Sequence, residues 1–114
     1  MRLEIKEPPR VFDASGVQIK DFGKIHLAAD EMISMVSASG KECDFAGKEW
    51  GFYLAPSLNS RLRNQGFKVA LVRNQQGKFF LNAVEEDKLN LFKKYLKTNQ
   101  DSKIICWLDE WEEK

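Results

Sequence analysis

Apolar and polar residues alternate with a period of two along most of this chain, which is the pattern of half-buried β-strands. It is clearest from Phe67 to Arg73, where Phe67, Val69 and Leu71 interleave with Lys68, Ala70 and Val72. Asn74-Gln75-Gln76-Gly77 reads as a hairpin loop, and Lys78 to Val84 returns with Phe79, Leu81 and Ala83 on one side and Phe80 and Val84 on the other. Upstream, Phe22 to Ala29, Met32 to Ser37 and Glu42 to Ala46 are short strands joined by tight turns, a pattern that predicts an antiparallel meander. Lys103 to Asp109 is a last strand.

The period changes to that of a helix from Glu86 to Lys97. Leu89, Phe92, Tyr95 and Leu96 fall on one stripe, with acidic residues at the start and lysines at the end, as the helix dipole favours. Between the two β-rich halves lies the dense stretch Lys48 to Gly66. Trp50, Phe52 and Leu54 share a strand parity that would bury them, and Tyr53 lies beside Gly51 on the second face. Pro56 stops the strand, Ser57 is a good N-cap, and Gly66 fits the residue just past a helix end. A two-turn helix is therefore predicted from Leu58 to Gln65, with Leu58 and Leu62 facing the core.

Residues 1–21 form a separate arm or edge strand. Leu3 and Ile5 begin it, Pro8 and Pro9 should end it, and Asp13-Ala14-Ser15-Gly16 reads as a turn. Residues 22–114 then make a single domain. The fold class is α+β: a mainly antiparallel β-sheet or partly closed barrel of six or seven short strands with two helices.

Length and composition narrow the function. The 114 residues suit one core, and a charged fraction of 31% with a formal net charge of +1 speaks against a duplex DNA or anionic membrane partner. Cys43 and Cys106 read as reduced, buried small residues, with a bridge between them as the alternative. The first residues lack the apolar core of a signal peptide, which points to the cytoplasm.

No motif fixes a reaction. The single histidine, His26, shares a strand face with Lys24, and no base-and-nucleophile arrangement surrounds it. Zinc-ligand spacings and phosphate-cradling glycine loops are missing from the sequence, so no metal, cofactor or catalytic residue is expected. Glu49, Asp109 and Glu110 lie near tryptophans but read as solvated surface charges. Phe79, Phe80, Lys78, Lys68 and Arg73 share a hairpin and hint at single-stranded nucleic acid, against which the balanced charge speaks.

The best candidate surface lies around the Pro56 turn. Trp50 and Tyr53 offer an aromatic wall, Ser57 the start of a helix, Asn59 a neutral hydrogen-bonding group, and Arg61 and Arg63 guanidinium forks for an anion. The expected function is a non-catalytic cytoplasmic binding or accessory domain that recognises a small anionic ligand or a protein partner at the start of the Ser57 helix, as a monomer or homodimer. Two alternatives stand beside it. One is a small enzyme acting on an anionic metabolite through Tyr53, His26 or a carboxylate, which needs His26 or Glu49 in one pocket with Arg61. The other is a self-association module using Trp107, Trp111 and an exposed strand edge.

The strings Glu49-Trp50-Gly51-Phe52-Tyr53, Pro56-Ser57-Leu58-Asn59, Arg61-Leu62, Gly66-Phe67 and Cys106-Trp107-Leu108-Asp109 together resemble a small bacterial domain family with no known activity. The likeness covers residues 22–109 and implies no site or reaction.

Overall fold

The computed structural model describes residues 1–113. Its contacts gather into two units, one of Met1–Ala55 and one running from Pro56 onward.

The first unit opens with a long ribbon. Strands β1 (Arg2–Ala14) and β2 (Val17–His26) pair antiparallel around a two-residue turn, Ser15-Gly16, in which both residues have positive φ. That mirror-image turn matches the twist of the flanking strands. It sits one residue later than the turn expected from the sequence. Pro8 and Pro9 do not end β1 as expected. The register shifts between Ile5 and Arg10, so the prolines lie where the ladder is already irregular and no N–H is required of them. The expected boundary after residue 21 falls inside β2.

Asp21 ties this irregular region together. Its carboxylate accepts from the Gly23 N–H at 2.9 Å, from Arg10 at 3.2 Å and from Lys6 at 3.4 Å. The Gly23 hydrogen bond and then the Arg10 guanidinium hold its pKa below the usual carboxylate range. Gly23 itself cannot carry a side chain, since a Cβ there would lie 1.8 Å from the Glu4 carbonyl oxygen.

The second sheet of this unit has the order β3-β4-β5, formed by β3 (Met32–Val36), β4 (Glu42–Lys48) and β5 (Gly51–Leu54). The register sorts its side chains cleanly. Ile33, Met35, Cys43, Phe45, Phe52 and Leu54 share one face, and Met32, Ser34, Asp44, Ala46 and Tyr53 share the other. The first face holds only apolar side chains and cysteine.

The second unit holds a three-stranded antiparallel sheet of order β7-β6-β8, with β6 (Phe67–Arg73), β7 (Phe79–Glu85) and β8 (Lys103–Trp107). A single-turn helix, α1 (Arg61–Asn64), precedes β6, and α2 (Leu89–Tyr95) connects β7 to β8. Leu96, just past α2, packs on Ala70 and Val72 of β6, and Phe92, Ile104 and Trp107 surround them. Ala70 is 0% exposed. The helix predicted over Glu86–Lys97 is three pieces: a 3₁₀ turn at Glu86–Lys88, α2, and a wider π-type turn at Leu96–Gln100 that stops at Asp101, whose φ is positive. α1 is half the expected length, and Gly66 follows it with positive φ as predicted.

The molecule is therefore α+β, with eight strands in three open antiparallel sheets and two α-helices among the described residues. It is not a partly closed barrel, and it has more strands than the six or seven expected. The extra pairing comes from the first residues, which form a full ribbon. No helix among the described residues is long and apolar enough to cross a membrane.

Candidate functional site

Every buried hydrophobic side chain among the described residues lies at or beyond Leu62. The apolar residues of the first unit are thus half-buried or exposed, and the β4–β5 hairpin carries the largest exposed ones. Lys48 pairs with Gly51, so Glu49 and Trp50 form a two-residue turn. Trp50 therefore lies outside the strand parity assigned to it from the sequence, and it is 72% exposed rather than buried. Gly51 leaves the turn with a φ of 143°, a conformation that side chains disfavour. Phe52, expected in the core, is 65% exposed, and Leu54 is exposed with it. Tyr53 stands opposite Ala46 on the second face of the sheet and is also exposed.

Ser57, Asn59, Arg61 and Arg63 belong to the second unit. The residues expected to form one site are therefore divided between the two units, Trp50 and Tyr53 in the first and these four in the second. Ser57 is not the N-cap as expected, since the helix begins later and Ser60 takes that position; the Ser57 hydroxyl accepts the Arg61 N–H at 2.9 Å, and its carbonyl accepts the Leu62 N–H at 2.9 Å. Asn59 lies exposed in the turn before α1, and Arg61 is exposed on the helix. A single turn of helix sums too few peptide dipoles to make a strong anion site.

Arg63 has a definite partner. It donates to the Asp109 backbone carbonyl at 2.7 Å and to its Oδ2 at 3.3 Å. Asp109, read from the sequence as a solvated charge, is only 4% exposed. Its Oδ1 accepts the Val69 N–H at 3.1 Å, and Lys68 Nζ lies 3.4 Å from Oδ2. Burial alone would raise the pKa of Asp109. The Val69 N–H, the Arg63 guanidinium and the Lys68 charge outweigh burial and hold it below the usual carboxylate range. Lys68 also pairs with Glu110 at 2.7 Å and lies over the Trp107 ring, 4.9 Å from its centroid. The Glu110 hydrogen bond raises the Lys68 pKa. One sequence signal marks this cluster, an acidic residue placed directly after an apolar strand.

No triad surrounds the histidine. His26 Nε2 lies 2.8 Å from Glu4 Oε1 and 3.3 Å from Arg2, all within the ribbon. Among the described residues no group of three or more His, Cys, Asp or Glu side chains could hold a metal ion. Cys43 and Cys106 are half-buried and form no disulfide.

The chain matches no protein-family model, no curated protein and no solved structure.

Proposed function

We propose that the chain is a non-catalytic association module whose β3-β4-β5 sheet is completed by a second copy of itself. The observation that carries this reading is the uncovered face of that sheet. Phe52, Leu54 and Met35 of that face expose on the order of 300 Å² of side chain, and Trp50 in the adjoining turn exposes a further large ring, taking about 150–250 Å² for each large group. Partly covered Ile33, Cys43 and Phe45 and the strand edges extend the patch. An apolar patch of this size is as large as the largest on a typical monomer, and such patches often serve a function. A stable interface uses about 800 Å² per partner, of which the apolar face would supply the centre and the strand edges the remainder.

The chemistry favours a second copy over a charged partner. The face carries no charged side chain, and a net charge of +1 puts little repulsion between two copies. β3 and β5 are both edge strands, and a twofold axis can pair such an edge with its own copy.

Sedimentation velocity over a concentration series tests the reading. The unmodified chain should move towards dimer as concentration rises. Phe52→Asp should remain monomeric with an unchanged circular dichroism spectrum. A monomer at every concentration, or a dimer indifferent to Phe52→Asp and to Trp50→Ser, overturns it.

A further inference from the structure

The end of the second unit's sheet holds an arrangement that the self-association surface does not use. The register places Phe79 of β7, Arg73 of β6 and Lys103 of β8 in one row across the three strands. Cross-strand partners share a face, so an aromatic ring and two cations stand side by side. Phe79 is 58% exposed, and both cations are exposed.

Arg73 and Lys103 are directly opposed like charges, which weakens the pairing of their strands. Neither has an ion-pair partner among the described residues. They line an open cavity of about 540 Å³ together with Asn74, Gln75, Gly77 and Asp101. Asp101 is the one acid there, and its carboxylate accepts a hydrogen bond from Gln75. Asn74 is occupied in holding the loop, its Oδ1 accepting the N–H groups of Gln76 and Lys78. The two cations are thus the groups left to meet an incoming ligand, and they carry one more charge than Asp101 cancels.

We propose that this row binds a mononucleotide, with the base stacked on Phe79 and the phosphate held between Arg73 and Lys103. The geometry sets the ligand class. Successive strands lie about 4.8 Å apart, so the ring and the far cation are separated by about 10 Å. A phosphate ester of a planar ring bridges such a gap, whereas inorganic phosphate leaves the ring unused. Base–aromatic stacking tolerates any base, so little base preference is expected. A longer strand would need cations beyond these two, and the chain's net charge of +1 provides no extended basic track.

Titration of the full chain with AMP, followed by amide chemical shifts, tests the site. Shifts should centre on Arg73, Gly77, Phe79 and Lys103. Lys103→Glu should weaken AMP by about tenfold or more, by removing one of two charge-assisted contacts. The same change should raise the melting temperature, because it replaces a like-charge pair with an opposite one. Phe79→Leu should weaken AMP and leave the weak binding of inorganic phosphate unchanged. Absence of AMP binding, or binding unaffected by Lys103→Glu in a folded chain, overturns the proposal. Oligothymidylate that binds about a hundredfold tighter than AMP through these residues also overturns it, in favour of a strand held by several phosphates. Each readout is independent of the dimer, because Phe52→Asp should leave AMP affinity untouched.

Discussion

Arg63 grips Asp109 twice, at the backbone carbonyl and at the carboxylate, across 46 positions of sequence. The contact fastens the helix before β6 to the turn after β8, and it places a charge where no water reaches. Removing the carboxylate leaves the buried Val69 N–H without its acceptor, while Arg63 keeps the backbone carbonyl and its access to water. Asp109→Ala should therefore cost about 2–3 kcal/mol, the loss expected when a buried N–H loses a charged acceptor. Arg63→Ala should cost less, about 1–2 kcal/mol, because Val69 and Lys68 still serve the carboxylate. Urea unfolding followed by Trp107 fluorescence measures both.

The same cluster sets a pH window. The folded pKa of Asp109 is depressed, so the unfolded chain takes up the proton more readily. Its stabilisation is present above the ordinary value of about 3.9 and disappears as pH falls through the lower folded pKa. Lys68 works in the opposite sense. Its folded pKa is raised, so its contribution is complete below about 10.4 and is lost as pH climbs through the raised value. Melting temperature against pH should show a plateau between these limits, and Asp109→Ala should flatten the acid side.

The core of the second unit is small and tightly filled. Leu62→Ala should destabilise it by about 2–4 kcal/mol, since the single turn of α1 has little else to hold it on β6. Ala70→Leu should cost about 1–3 kcal/mol by overpacking against Leu96. Denaturant midpoints of the two variants check the order.

Gly23→Ala should loosen the ribbon locally. The new methyl group would collide with the Glu4 backbone, and the residue would keep a φ of 122° that an alanine resists. Hydrogen exchange should speed up at Leu3, Glu4 and Ile5 and stay unchanged in β6.

Periodicity located β6 to the residue, because Phe67–Arg73 alternates without interruption between a helix-ending glycine and a hairpin loop. It failed at Trp50 because parity was carried across a turn: a two-residue hairpin resets which side chains face which way. It failed at Pro8 and Pro9 because the rule against proline in a sheet applies to the ladder, and an irregular stretch of a two-stranded ribbon has no ladder bond to lose. Asp109 was missed for another reason. Its partners Arg63, Lys68 and Val69 come from far along the chain, and burial of a charge depends on those partners rather than on the residue's neighbours. The row of Phe79, Arg73 and Lys103 was half visible. The hairpin gave Phe79 and Arg73, but only the third strand brings Lys103 alongside.

Among the described residues all the strand pairings but one join neighbours in sequence; the exception is β6 with β8, which closes across β7 and α2. Folding of the second unit therefore has a single entropically expensive closure. The Asp109–Val69 bond follows directly on that strand, so it should form in the same event. Asp109→Ala and Cys106→Ala should then divide their loss of stability between slower refolding and faster unfolding in the same ratio, while changes in the Asn74–Gly77 loop affect an earlier step. The late turn that locks the sheet acts as the latch of the folding reaction as well as of the folded state.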